Sequence, residues 1–266
     1  MEVKLLAYTP GPAGIVAAAA RCCYSAKPAS ELLDTSIPAA HGSCFEHISF
    51  TFSVEGVSRV LTHQLVRHRV GTAFSQQSMR YVDVHKLWDH IVIPKTVQDK
   101  IDEAYALAEA EELIGSLEPE HMASIELAEC YEGLQSSIGN MIEAMTKAGI
   151  PSEDQRYFVP MGVKSNITVT MNARELQHFC GLRRCKRAQW EIRELADKMA
   201  TLVQGECPDL CQHLNLGPQC EQLGYCPEHK SCGHKPTFIK IEEMFDNVPV
   251  MAGECKHCGA CKEAKE

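Results

Sequence analysis

The chain has 266 residues, 45% of them hydrophobic and 23% charged, enough for one large domain or a domain with an appendage. Its net charge of -9, from 26 Lys and Arg against 35 Asp and Glu, argues against a duplex nucleic-acid binder, which carries a basic excess. The apolar run from Gly14 to Ala20 is too short for a secretory signal, and no window approaches the roughly 20 apolar residues of a membrane span; the expectation is a cytoplasmic protein with no membrane segment.

Val3, Leu5 and Ala7 alternate with Lys4, Leu6 and Tyr8, which predicts a first strand ended by the turn TPGP. GIVAAAARCCYS then reads as a short buried helix, and residues 27–47 as a loop with one helical turn. Ile48, Phe50, Phe52 and Val54 alternate with Ser49, Thr51 and Ser53, a period-two strand that Gly56 should break. Val57, Val60, Leu61 and Leu65 recur at helical spacing, with Gln64 and His68 on a neighbouring stripe. The run after that helix, up to Tyr81, reads as a polar loop.

Residues 100–147 are rich in Ala, Leu, Glu and Met and predict two helices separated at Pro119. Ile167, Val169 and Met171 alternate with polar neighbours in another strand. Asn172 with Glu175 fits a capping box, opening a single long helix from about Ala173 to Leu202 that Gly181 would loosen. The sum is an α+β fold, a modest β-sheet packed with long helices. Residues 1–206 are expected to be its catalytic domain and residues 207–266 a Cys-rich C-terminal extension.

Of the 14 cysteines, Cys22, Cys23, Cys44, Cys130, Cys180 and Cys185 are scattered, and eight fall between Cys207 and Cys261. In a cytosolic chain such a tail reads as reduced packing thiols or as metal ligands, not disulfides. Cys226, His229 and Cys232 are spaced three apart, as are Cys255, Cys258 and Cys261, and Cys207, Cys211, Cys220 and His234 add further soft donors. Structural zinc wants four ligands, and the last run supplies three, so a fourth would come from the Cys220–Cys232 stretch or another subunit. No metal ligand is assigned, and none is expected in the chemistry.

Two polar clusters carry chemical potential. QLVRHRVGTAFSQQSMRY, from Gln64 to Tyr81, brings Arg67, His68, Arg69 and Arg80 together with Ser75, Gln76, Gln77 and Ser78. Guanidinium forks suit phosphates and carboxylates, and amides and hydroxyls suit base and sugar edges. The bland alternative for a short basic run is solvated surface. The second cluster has Glu153 and Arg156 after GIP, then Arg174 and His178 one helical turn apart, and Arg183 and Arg187 similarly spaced. Its alternative is a positive face bridging to the many glutamates.

The motifs resemble those of the flavin-dependent thymidylate synthases. RHR at Arg67 to Arg69 leads to SQQSMRY at Ser75 to Tyr81, with eight residues between RHR and Ser78 where many members have seven. HGSCFEH, GIPSEDQRYFVP, MNARELQHFCGLR and AQWEIR agree in order with further family segments, over roughly residues 1 to 235. The resemblance implies reductive methylation of dUMP to dTMP with bound FAD, with 5,10-methylenetetrahydrofolate as one-carbon donor and NADPH as reductant, and tetrahydrofolate released. It implies that His41, Ser43 and Glu46 lie near FAD, with Arg67, His68, Arg69 and Gln76 from the first cluster and Asn172, Arg174, His178 and Arg187 from the second. It places Gln64, Arg67, Gln76, Gln77, Ser78, Arg80 and Arg156 at dUMP, and gives Arg183 the catalytic place beside the pyrimidine. It implies a homotetramer with sites shared between subunits, and no nucleic-acid partner. Two competing readings are a metal-dependent nucleic-acid or adaptor module built on the cysteine tail, and a flavoenzyme acting on uracil within a nucleic acid.

Overall fold

The alternation at Ile48–Val54 becomes the central strand of a four-stranded antiparallel sheet in the computed structural model, which describes residues 1–23, 42–81, 90–109 and 119–238. Strand β1 (Glu2–Tyr8) pairs with β2 (Ser49–Ser58), β2 with β4 (Lys164–Asn172), and β4 with the edge strand β3 (Thr72–Gln76), in the order β1-β2-β4-β3. Phe52 faces Val169 and Phe50 faces Met171 across the central pair, so one sheet face is continuously apolar. The opposite face carries Thr51, Ser53, Thr168 and Thr170, and the Thr51 and Thr170 hydroxyls bond each other at 2.9 Å.

Three helices cover the apolar face. Helix α1 (Pro12–Cys23) contributes Val16 and Ala20, α6 (Ala173–Arg183) contributes Leu176 and Phe179, and α7 (Trp190–Glu206) contributes Ile192, Leu195, Met199 and Val203. Phe50, Phe52 and Phe179 are fully buried there, each stabilising the fold by roughly 1.5–3 kcal/mol through area removed from water. Cys207, Leu210, Leu214 and Leu216 join the same core, so the chain beyond residue 206 begins as core, with helix α8 (Pro208–Cys211) within it. Helices α3 (Lys95–Glu109) and α4 (Pro119–Lys147) pack together separately through Ile101, Ala104 and Ala128, α4 opens on Pro119, where a missing N–H costs nothing, and a single turn, α5 (Ser152–Gln155), follows. No helix of the described residues is long and apolar enough to cross a membrane.

Four local expectations are corrected. Gly56 does not end β2: it takes φ +69° at a bulge between Val54 and Val57, its N–H donates to Asn166 Oδ1 at 3.0 Å, and pairing resumes to Ser58. The helix after it, α2 (Arg59–Leu65), therefore starts later than its apolar spacing suggests, where Ser58 Oγ accepts from Leu61 N–H at 3.0 Å. Part of the run read as loop is β3, an edge strand whose apolar content is too slight to give a period-two signal. The long helix from residue 173 is two helices, because Gln189 caps a new one, accepting from the N–H groups of Glu191 and Ile192 at 3.0 Å. Gly181 lies buried inside α6 and breaks nothing. Arg183 and Arg187 thus do not share one helical face.

The start of α2 is anchored to α7 by a buried carboxylate. Glu191 accepts from Ser58 N–H at 2.7 Å and from Ser58 Oγ at 2.5 Å. This holds the short helix so that its C-terminal end presents Arg67 and His68 against α6.

Candidate active site

Helix α2 ends at Leu65, and His68 N–H bonds Leu65 O at 3.1 Å in the turn that follows. That turn drives His68 inward, 6% exposed, while Arg67 and Arg69 stay exposed on either side. Gly71, at φ +68°, then reverses the chain into β3, and its carbonyl accepts from Asn172 N–H at 2.8 Å. The end of the RHR turn is so pinned to the start of α6.

Asn172 Oδ1 accepts from Glu175 N–H at 2.8 Å, one half of the expected capping box. The other half does not form: Asn172 N–H is taken by Gly71, and the buried Glu175 carboxylate turns instead to His68 Nδ1 at 2.8 Å. Arg183, one side-chain ridge further along α6, donates from Nε to His68 Nε2 at 3.1 Å. His178 presents its ring to His68 at 5.8 Å between centroids, and Phe179 stacks edge-on at 5.1 Å.

These contacts assign the state of His68. An imidazolium would carry a proton on Nε2, facing the Nε–H of Arg183, so the ring is neutral with its proton on Nδ1, donated to Glu175. Burial lowers the His68 pKa, and the nearby Arg183 and His178 charges act in the same direction against the Glu175 bond. Both ring nitrogens are thereby spent. Although His68, Glu175 and His178 bring ligand atoms within 4.8 Å of one another, no lone pair of His68 remains for a metal.

Arg183 is half-buried, and its pKa is lowered first by burial and then by the neighbouring Arg67. Among the described residues, Arg67, Arg69 and Arg183 have no carboxylate partner. Two neighbouring guanidiniums with no carboxylate partner among the described residues suit an anionic ligand. At the other end of α6, Arg174 pairs with Glu46, and the exposed Ser43 lies on the same short 3-10 helix, Gly42–His47. His41 lies outside the described residues.

The remaining candidates fall elsewhere. Gln76 is consumed by Thr62 Oγ1 at 3.0 Å and Ser165 Oγ at 3.1 Å, and Gln64 is half-buried on α2. Gln77 accepts from Asn166 N–H at 3.1 Å and lines a polar pocket on the open sheet face with Ser53, Glu55 and Ser75. Arg80 meets Glu153 at 3.4 Å, and Arg156 donates to the Glu153 carbonyl at 3.0 Å beside a cleft of about 220 Å3 lined by Arg59, Met79 and Tyr157. Ser78 Oγ accepts from Arg80 N–H at 3.3 Å and has no base beside it among the described residues. Arg187 turns away to the Lys230 carbonyl at 2.8 Å and to Glu228. Glu175 is the residue that sequence reading missed as a site group. Its capping position explained it fully, and His68 lies 107 residues away.

Residues 4–209 match the family model described as thymidylate synthase complementing protein. A relative from Geobacter sulfurreducens named flavin-dependent thymidylate synthase is 38% identical over 263 residues, covering 94% of this chain and all of that one. The chain belongs to the flavin-dependent thymidylate synthase family. A second family member, from Clostridium tetani, is 40% identical over 254 residues, covering 91% of this chain and 96% of its own. The fold is that of solved family structures. The Helicobacter pylori enzyme complexed with FAD and dUMP aligns with a TM-score of 0.54 at 23% identity, covering 80% of this chain and 99% of that one. The UMP/dUMP methylase PolB of Streptomyces cacaoi, bound with 5-Br dUMP, gives 0.62 at 22% identity over 82% and 96%.

Proposed function

We propose that the cluster where α2 and β3 meet α6 is the reaction centre of a flavin-dependent thymidylate synthase, with the dUMP pyrimidine beside Arg183. The activity is the reductive methylation of dUMP to dTMP. The observation that carries the placement is the Arg67–Arg183 neighbourhood, which has no carboxylate partner among the described residues.

Arg183 spends Nε on His68, which leaves its terminal nitrogens to face the ligand. A guanidinium held there stabilises negative charge as it develops on the base, and it is already oriented before the reaction begins. Glu175 and His68 provide that orientation. The residues suit a flavin dinucleotide: Arg67 and Arg69, with no carboxylate partner among the described residues, offer cations for a pyrophosphate, and Ser43, Glu46, Asn172, Arg174 and the exposed His178 offer polar edges. Bound FAD would supply the hydride chemistry, with NADPH as its reductant and 5,10-methylenetetrahydrofolate as the one-carbon donor. Arg80, which would exchange Glu153 for the ligand, and Arg156 are the cations suited to the dUMP phosphate.

A homotetramer with shared sites is supported by exposed apolar groups on two surfaces. Tyr157, Phe158 and Met161 stand exposed beside the Arg156 cleft. On α4, Leu127, Leu134 and Met141 are exposed at seven-residue spacing, a stripe that suits another helix. Arg80 and Arg156 of one subunit would then complete the Arg183 cluster of another. Sedimentation analysis should find a tetramer, and a fully active monomer would contradict it.

The direct test of the site is a dUMP titration with FAD present, followed by the flavin absorbance. Saturable binding is expected, weakened in Arg67→Ala and Arg156→Ala; an absence of saturable binding would contradict the reading.

A further inference from the structure

AQWEIR is the family-like segment to which the proposed site assigns no task. It opens α7, and its Glu191 is only 3% exposed there. Gln189 caps the helix, and Ile192 and Leu195 beside Glu191 belong to the core. A carboxylate is costly at such a place, where an apolar side chain of similar volume would serve stability as well or better. Among the described residues no Lys, Arg or His pairs with it. Both of its oxygens go instead to one residue: Oε1 accepts from Ser58 N–H at 2.7 Å, and Oε2 from Ser58 Oγ at 2.5 Å. The N-terminal end of α7 adds a favourable dipole for the charge.

Ser58 is the residue at which β2 becomes α2, and α2 is only seven residues long. So short a helix does not hold its own direction; its attachments do. At its start three successive N–H groups are held: Arg59 donates to the Val163 carbonyl at 3.1 Å, Val60 to the Met161 carbonyl at 3.2 Å, and Leu61 to Ser58 Oγ at 3.0 Å. With the Ser58 hydroxyl proton directed to Glu191, a lone pair of Oγ is left for Leu61, so one hydroxyl orientation serves both bonds. Midway along, Thr62 Oγ1 accepts from Gln76 of β3 at 3.0 Å. The far end carries Arg67 and His68 to the cluster on α6. At 1.5 Å per residue α2 is a lever roughly 10 Å long, and a tilt of about 6° at Ser58 displaces its far end by about 1 Å. A displacement of that size at a reacting centre is enough to cost about 100-fold in rate.

We propose that Glu191 is a positioning residue for the methyl transfer: through Ser58 it fixes the direction of α2, and with it the places of Arg67 and His68. It touches no ligand. Its effect reaches the Arg183 guanidinium through His68, the acceptor of the Arg183 Nε–H. This role accounts for a carboxylate in the first turn of α7 where packing alone calls for an apolar group. It rests on the reading of the Arg67–Arg183 neighbourhood as the reaction centre.

The test measures dTMP formation at saturating FAD, and urea unfolding, in Glu191→Ala, Glu191→Gln, Ser58→Ala and the double variant Glu191→Ala/Ser58→Ala. Met199→Ala, which opens a cavity on the buried face of the same helix, is the stability control. Glu191→Ala is expected to lower kcat about tenfold or more while KM for dUMP changes less than about threefold. Glu191→Gln keeps an oxygen for the Ser58 N–H and should recover most of the rate. Ser58→Ala should reproduce the loss, and the double variant should be no slower than the slower single one, as for two ends of one contact. Met199→Ala should lower the urea midpoint with no comparable loss of kcat. Should Glu191→Ala fail to fold, Glu191→Gln and Ser58→Ala carry the comparison, since each removes less. The Nδ1–H resonance of His68, followed in protein made with isotope-labelled histidine, reads position without turnover. It should shift in Glu191→Ala or Ser58→Ala and stay in Met199→Ala. An inactive wild type would sink the functional reading, while an unmoved His68 resonance would sink this one. Wild-type kcat in Glu191→Ala or Ser58→Ala, rate losses that track the urea midpoint alike in Glu191→Ala and Met199→Ala, or additive losses in the double variant would overturn it as well.

Discussion

His68 Nε2 accepts a hydrogen bond from Arg183 Nε at 3.1 Å, while Glu175 holds the other ring nitrogen at 2.8 Å. Glu175 and Arg183 share α6, and the packing of α6 on the α2 turn brings His68 to both; we propose that the three form one positioning unit for the Arg183 guanidinium. Removing the Glu175 acceptor should free the imidazole to change tautomer and leave Arg183 misdirected. Glu175→Leu is expected to lower kcat about tenfold or more while changing dUMP affinity less, and to cost about 1–3 kcal/mol of stability from the orphaned His68 donor. Glu175→Gln keeps an acceptor and should restore most of the rate. Steady-state kinetics and urea unfolding check both halves; equal losses in the two variants would refute the positioning role.

Arg183→Ala removes the group that we propose lies beside the pyrimidine. Loss of one preorganised charge donor is expected to cost on the order of 100-fold or more in turnover, with FAD retained. Flavin content and dTMP formation measured on the same preparation separate the two effects, and near-wild-type turnover would remove Arg183 from the reaction.

The neutral state of His68 makes stability depend on pH. Its folded pKa lies below the unfolded value of about 6.5 because burial opposes charge, with Arg183 and His178 adding to that and Glu175 opposing it. The folded chain therefore binds fewer protons there than the unfolded chain. Its contribution is present above about pH 6.5 and is lost as pH falls from there through the depressed folded pKa. The slope from this single group is at most about 1.4 kcal/mol per pH unit. Urea unfolding at a series of pH values should show this acid-side loss in the wild type and a shallower one in His68→Gln; identical slopes would contradict the assignment.

Gly71 couples the RHR turn to α6 through space as well as through its carbonyl. Its φ of +68° disfavours any side chain, and an added Cβ would run into the Asn172 amide that caps α6. Gly71→Ala is expected to destabilise the fold by about 2–3 kcal/mol, from the left-handed strain and the damaged cap together. Chemical denaturation measures it, and a change below about 0.5 kcal/mol would show that the turn relaxes freely.

Much of this architecture is legible in the sequence because its signals are local. Phe50 and Phe52 alternate with small polar residues and read directly as a strand, and Asn172 announces the start of α6. RHR and Arg183 are legible as motif residues. What escapes is non-local or weakly apolar. The Glu175–His68 bond joins positions 107 residues apart, and the capping position of Glu175 offers a sufficient local explanation that hides it. The strand β3 depends on pairing with β4, since Thr72, Ser75 and Gln76 carry little apolar pattern of their own. The break after Arg183 is made by the Gln189 cap within a stretch of otherwise good helix formers. Cys185 looks isolated in the sequence and comes to line one cavity with Cys220, Cys226 and Cys232 only when the end of α6 meets the chain after residue 217.

Family membership makes this chain an enzyme that converts dUMP to dTMP with a flavin. That activity is tested most directly by measuring dTMP formed from dUMP, 5,10-methylenetetrahydrofolate and NADPH by the purified protein, with FAD supplied and with FAD stripped. dTMP with tetrahydrofolate as the folate product is expected when FAD is present, and none when it is removed. Undiminished dTMP formation by the flavin-free protein, or no dTMP from the FAD-loaded protein, would contradict it.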